Sequence, residues 1–148
     1  IRFYLNMTKS LELKLKERFP KLLVDMYGNP HYTCMSYGIS CDDGWYDLLY
    51  NLCEELQGLS DAYGKQIVAT QIKEKFGGLR FYIKVDGENQ PTDDEWKLIS
   101  ATIDKYEELS LDTCELTGGI GDMCKRGFLM KTLCKESAIL CGFKPTVK

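Results

Sequence analysis

The sequence predicts an α+β fold, an antiparallel β-hairpin packed against two or three helices, and three observations lead there. Residues 66–85 hold two β-rich runs around Gly77-Gly78, and a Gly-Gly pair supplies the positive φ angles that tight hairpin turns need. Trp45, Leu48, Leu49, Leu52, Leu56 and Leu59 recur at i, i+3, i+4, i+7, i+11 and i+14, the apolar stripe of an amphipathic helix. Thr92-Asp93-Asp94-Glu95 has capping-box spacing and precedes a second stripe of Trp96, Ile99, Ile103 and Tyr106. Each element has one apolar side, so both helices and the inner face of the hairpin close a single core.

Ahead of these elements, Leu11, Leu13 and Leu15 alternate like a strand, while Leu11, Leu15, Phe19 and Leu22 keep helical spacing. The abundance of Leu, Lys and Glu decides for a helix over Thr8 to Phe19, with Pro20 at its end. Tyr27 to Pro30 reads as a turn and Cys34 to Ile39 as a short strand. Asp42 or Asp43 caps the Trp45 helix. In the hairpin, a Gly77-Gly78 turn sets Phe76 opposite Leu79, Lys75 opposite Arg80, Glu74 opposite Phe81 and Lys73 opposite Tyr82. Ile72, Phe76, Leu79, Phe81, Ile83 and Val85 then share one face, and Gln71, Lys73, Lys75, Arg80, Tyr82 and Lys84 the other. Lys75 facing Arg80 costs stability unless something anionic lies over the pair. Glu74 falls on the apolar face beside Ile72, Phe76 and Phe81, where an unpaired charge is costly. Either a rim position or a bulge turns it outward, or it is a buried carboxylate paired to a specific base and a candidate functional group. Trp45 and Trp96 lie on the helix stripes and read as core, whereas Tyr46 and Tyr50 lie off the stripe and read as surface.

At 148 residues the chain suffices for one compact domain, read as a core over residues 1–112 with a small cysteine-containing tail over 113–148. Charged residues make up 28%, the net charge is -3, and no apolar run approaches the roughly 18 residues of a membrane span. Ile1 to Asn6 lacks the features of a secretory leader, Met7 is a candidate internal start, and the chain reads as cytoplasmic. Seven cysteines cannot all pair, which favours free thiols in a reducing compartment. His31, the one histidine, reads as a loop residue, and chemistry that needs two histidines is excluded. Charge is unevenly distributed: Lys65 to Val85 carries +4 and Thr92 to Asp112 carries -5. Either these are solvated faces in weak mutual attraction or they mark a ligand or partner surface.

Gly38 to Cys53 (GISCDDGWYDLLYNLC), Lys73 to Tyr82 (KEKFGGLRFY) and the tail from Cys114 to Cys134 resemble an uncharacterised family of small phage and prophage proteins. The resemblance spans most of the chain from Tyr37 onward. The family pattern joins an acidic-Gly-Trp helix start, a Lys-Glu-Lys-Phe-Gly-x-Leu-Arg-Phe-Tyr hairpin and a zinc-ribbon-like tail, Cys-x-x-Cys-Gly with a later Cys-x-x-His. It implies a kind of genome and not an activity. This chain departs from the pattern where a metal would sit, because Thr117 stands three residues after Cys114 and Ser137 three residues after Cys134. A structural zinc takes four thiolate or imidazole ligands, so either the metal is lost or Cys124 and Cys141 replace the missing pair. The irregular spacing of Cys114, Cys124, Cys134 and Cys141 favours a metal-free, cofactor-free tail with the cysteines as small buried residues.

Three functional readings follow. In the first, the protein is a non-enzymatic binder in which Lys73, Lys75, Arg80 and Lys84 hold an anionic, nucleotide-like ligand and Tyr82 stacks on it, with Tyr46 and Tyr50 as further contacts. The phage resemblance adds a host protein as an alternative partner and antagonism of host defence as the outcome; self-association is left open and no membrane partner is expected. The second reading is a nucleic-acid-binding accessory protein, suggested by the basic hairpin and a tail with six basic against three acidic residues, and opposed by a pI near 5.3. The third is a hydrolase or nuclease using Asp43, with Asp42, and Glu74. Glu74 projects to the face opposite Lys73 and Lys75, the two aspartates already serve as caps, and no Gly-rich phosphate loop, nucleophile elbow or zinc-protease helix is present.

Overall fold

The computed structural model describes residues 6–146 and has the α+β architecture expected. In chain order come α1 (Lys9–Arg18), a 3-10 turn (Cys34–Tyr37), a second (Asp43–Trp45), α2 (Tyr46–Tyr63), β1 (Ile67–Lys75), β2 (Gly78–Val85), α3 (Asp93–Ser110), β3 (Asp122–Arg126), β4 (Leu129–Leu133), α4 (Lys135–Cys141) and β5 (Lys144–Pro145). β1 and β2 pair antiparallel, and the tail strands form a second sheet in the order β4-β3-β5. The leader reading of Ile1 to Asn6 falls, apart from Asn6, outside the described residues. No helix among the described residues is long and apolar enough to cross a membrane.

The capping box of α3 is complete: Glu95 N–H donates to Thr92 Oγ1 at 3.2 Å and Thr92 N–H to Glu95 Oε1 at 2.9 Å. The start of α2 differs from expectation, since neither Asp42 nor Asp43 caps it through its side chain. Asp43 instead accepts the Thr8 N–H at 2.8 Å and the Thr8 hydroxyl, which ties the start of α1 to the lead-in of α2. Cys34 to Ile39 is not a strand. Thr33 Oγ1 accepts the Met35 N–H at 3.1 Å and turns the backbone into the 3-10 conformation, which Gly38 ends at φ 83°. A Cβ at Gly38 would overlap the carboxylate of Glu12, which is buried and accepts the Ile39 N–H and the Tyr27 hydroxyl. Only Ser40 extends the sheet, donating to Ile72 O at 3.0 Å and accepting from Glu74 N–H at 2.9 Å.

The hairpin turns one residue earlier than its Gly-Gly pair suggests, with positive φ at Phe76 (53°) and Gly77 (85°), the pattern of a type I′ turn. Its pairs are Lys75 with Gly78, Glu74 with Leu79, Lys73 with Arg80, Ile72 with Phe81 and Gln71 with Tyr82. From Lys75 back to Gln71 each partner moves by two residues, so the division into two faces survives there although the partners change, until a bulge between Ala69 and Gln71 shifts the register again. Contacts from the tail hold the turn in this place. Thr132 Oγ1 donates to Gly77 O at 2.7 Å, and the Met123 side chain fills the space a Gly77 Cβ would need. Phe76 therefore leaves the inner face and stands 65% exposed at the tip. The free edge of β2 is covered by α3, with Leu79 N–H donating to Ser110 Oγ and Phe81 N–H to Glu107 Oε2, both at 2.9 Å.

Two apolar clusters result. The larger joins Leu15, Phe19, Trp45, Leu52, Ile72, Phe81 and Ile103, with Trp96 half-buried at its margin; the smaller holds Cys114, Cys124, Leu133, Ala138, Cys141 and Phe143. Between them lies a polar junction. Lys131 Nζ sits 2.9 Å from Glu74 Oε1 and 3.1 Å from Glu115 Oε1. Glu115 Oε2 accepts the Asp42 N–H at 3.0 Å, and Glu74 Oε2 the Gly77 N–H at 2.8 Å. Of the reading of Glu74 as a buried, paired carboxylate, the pairing holds, with a base that comes from the tail, but the side chain is half-buried and not buried. Burial pulls the Lys131 ammonium down, but Glu115 and Glu74 outweigh it and hold its pKa above the ordinary value. The Glu115 carboxyl is pushed up, by burial first.

A non-glycine residue in the left-handed region costs roughly 1–2 kcal/mol relative to one that tolerates it. Phe76→Asn is thus expected to raise the unfolding free energy by about 1 kcal/mol in urea denaturation; a decrease would show that the exposed ring contributes packing that outweighs the turn.

Candidate functional site

Lys73, Lys75, Arg80, Tyr82 and Lys84 lie together on the outer face of the hairpin, as the alternation of its side chains requires. Lys73 is directly opposite Arg80, so the like-charge pair persists with a different lysine. None of Lys73, Lys75 and Arg80 forms an ion pair among the described residues. Lys75 lies 5.6 Å from the Phe76 ring centroid. Arg80 donates to Leu79 O at 3.2 Å and borders a groove shared with Asp104, Glu107 and Glu108 of α3. The acidic helix therefore neighbours the Arg80 edge of the basic face. Lys84 is engaged, its ammonium 3.4 Å from Asp25 and 3.3 Å from Asp86.

The base of this face opens into a cleft of about 600 Å³. Gln71, Tyr82 and Lys84 form one wall; Asp25, His31, Tyr32 and Cys34 form the other. Tyr82 is 45% and Tyr32 86% exposed, so two phenol side chains open to solvent border the cleft. The far wall is a loop folded on itself, Asn29 Oδ1 accepting the His31 N–H at 2.9 Å and Asn29 O the Tyr32 N–H at 2.9 Å. Sequence reasoning placed His31 in a loop and missed that this loop faces the hairpin. The available signal was an aromatic and a histidine at the crest of a Pro-containing turn. Tyr46 and Tyr50 do not join the cleft. Tyr50 packs edge-on against Phe19 of the α1 end at 5.2 Å, with Tyr46 6.4 Å further along α2. Asp43 is held by Thr8 and Glu74 by Lys131, and neither lines the cleft.

A second constellation lies in the tail. The Thr117 hydroxyl lies 3.8 Å from Cys134 Sγ and accepts the Gly119 N–H at 3.2 Å. Cys134 Sγ donates to Ser137 Oγ at 3.2 Å. Burial raises the Cys114 thiol, but the Thr117 hydroxyl and the N–H groups of Cys134, Thr117 and Leu116 together bring it down to about 7. Cys124 donates instead to Asp122 O at 3.2 Å, and burial pushes its thiol up. Among the described residues no three of His, Cys, Asp or Glu are grouped to hold a metal ion, and all seven cysteines are free thiols. Comparison with protein-family models, with curated proteins and with solved structures gave no match to this chain.

Thr117 and Ser137, the two positions without a metal ligand, both lie on Cys134, at 3.8 and 3.2 Å, and a structural zinc would need thiolates or imidazoles there. The T117C/S137C double variant is expected to retain one zinc ion in native mass spectrometry; a folded double variant without zinc would show that the four positions do not surround a common point.

Proposed function

We propose that this chain is a non-enzymatic binding protein whose outer hairpin face and adjoining cleft take an anionic, nucleotide-like ligand. The supporting observation is a cross-strand pair of like charges, Lys73 and Arg80, neither of them in an ion pair among the described residues, next to a ring, Tyr82, that lines a cleft. Like charges facing each other cost stability in the free chain, and a bound phosphate removes that cost. Arg80 offers a planar fork and Lys73 a point charge for phosphate oxygens. Positions two apart on a strand are about 7 Å apart, so a ligand with its ring at Tyr82 has its phosphates at Arg80 and Lys73. The likeness of Gly38 to Cys53 and Lys73 to Tyr82 to small phage and prophage proteins supports a setting inside a bacterial host, where withholding a nucleotide signal would blunt defence.

Calorimetric titration with adenosine monophosphate, a nucleotide-ribose compound and a cyclic dinucleotide tests this. At least one is expected to bind, with Lys73→Ala and Arg80→Ala each weakening it by about tenfold, equivalent to about 1.4 kcal/mol. Absence of heat with all three, or affinity unchanged in both variants, would remove the proposal.

A further inference from the structure

The cleft beside the hairpin holds an acceptor and a donor side by side that phosphate binding leaves unused. Resting on the reading of the hairpin face as a nucleotide site, we infer that the cleft selects a guanine base and that Asp25 is the residue that reads it. Asp25 and Lys84 line the cleft together, the Lys84 ammonium 3.4 Å from Asp25 Oδ2. Asp25 is half-buried, and its carboxylate has no other hydrogen bond or ion pair among the described residues. Lys84 has a second carboxylate, Asp86, at 3.3 Å, which leaves the third of its N–H donors for a ligand. The backbone fixes where this pair stands. Ala69 N–H donates to Leu22 O at 2.9 Å and ties the segment before Asp25 to β1, while Gly28 N–H closes the following turn on Asp25 O at 2.9 Å. Thr70, unpaired in the bulge between Ala69 and Gln71, lines the same cleft.

The order of side chains along β2 sets which edge of a base arrives there. Arg80, Tyr82 and Lys84 follow one another on one face at steps of about 7 Å. With phosphates at Arg80 and the base on Tyr82, the sugar lies on the Arg80 side. The Watson–Crick edge, the side of a base remote from its sugar, then points to Lys84 and Asp25. A carboxylate only accepts, through two oxygens side by side. Among the common bases guanine alone presents two adjacent donors on that edge, N1–H and the N2 amino group, with the acceptor O6 next to them. Asp25 accepts both N–H groups in charge-assisted bonds, and the Lys84 ammonium donates to O6. Adenine offers one donor there, and its N1 lone pair would face a carboxylate oxygen; cytosine and uracil also offer one donor each.

The test is calorimetric titration of the full chain, and of its Asp25→Asn variant, with the monophosphates of guanosine, inosine, adenosine and xanthosine. The unaltered chain is expected to bind guanosine monophosphate most tightly. Inosine monophosphate, which lacks the N2 amino group, and adenosine monophosphate should each bind about tenfold more weakly or worse, the loss of a hydrogen bond to a charged group. Asp25→Asn puts a donor and an acceptor where two acceptors stood. It should weaken guanosine monophosphate by about tenfold or more and strengthen xanthosine monophosphate, whose C2 carbonyl accepts from the new amide, so that the order of preference reverses. Equal weakening of all four in Asp25→Asn, or a guanine preference unchanged by it, would overturn the assignment of Asp25. Adenosine monophosphate bound as tightly as guanosine monophosphate, with both lost in Arg80→Ala, would overturn the guanine inference and leave the hairpin reading standing. No heat with any of the four, nor with the cyclic dinucleotide, would remove both.

Discussion

Lys131 is a single ammonium shared by two carboxylates in a junction that water barely reaches, and much of the chain's unusual sequence follows from what has to be built around it. Taking each charge out of water costs several kcal/mol, and the attraction repays that only when the geometry is close and the remaining polar atoms are satisfied. Both conditions hold. The contacts are 2.9 and 3.1 Å, and the carboxylate oxygens not shared with Lys131 accept the Gly77 and Asp42 N–H groups. The three residues come from β1, the approach to β3, and β4, so the network forms only when hairpin and tail are in place. The backbone closes around it. Gly44 N–H donates to Glu115 O at 2.8 Å, the Trp45 indole N–H to Thr113 O at 2.9 Å, and a side chain on Gly44 would overlap the carbonyls of Cys114 and Glu115.

The segments Gly38 to Cys53, Lys73 to Tyr82 and Cys114 to Cys134 thus have a physical account that does not involve a ligand. Asp42, Gly44 and Trp45 from one segment, Glu74 and Gly77 from another, and Glu115, Lys131 and Thr132 from the tail contact one another at the same junction. What the hairpin presents outward is a separate matter. Its tip and inner face hold the tail and the core, while Lys73, Arg80 and Tyr82 face away from both. The side-chain alternation of a β-ribbon lets one element do both, provided its register is held, and the Thr132 to Gly77 bond helps to hold it.

How much of this was legible in the sequence depends on the distance over which each choice is made. The helices were readable because caps and apolar stripes are local: Thr92 and Glu95 cap α3 through contacts three residues apart. The two faces of the hairpin were readable because they depend on parity alone. The turn position was not, since Gly77-Gly78 is locally the better site and contacts from Met123 and Thr132, far along the chain, select Phe76-Gly77. The 3-10 turn at Cys34 to Tyr37 reads as a strand by composition and is redirected by one side-chain bond from Thr33. The partner of Glu74 was unreadable for the same reason as the turn, lying 57 residues away. Of the candidate site, the cations and Tyr82 followed from alternation, but the opposing wall of His31 and Tyr32 is set by tertiary packing, which also draws Tyr46 and Tyr50 away toward α1.

The direct test of the shared-ammonium junction is a double-mutant cycle on Lys131 and Glu115, using Lys131→Met, Glu115→Gln and the combination, with unfolding free energies from urea denaturation at neutral pH. Each single change removes one charge and leaves the other buried, so the account predicts that the double variant loses less than the two singles together, by about 2 kcal/mol. Additive losses, within about 0.5 kcal/mol, would contradict it and reduce the junction to ordinary packing between two apolar clusters.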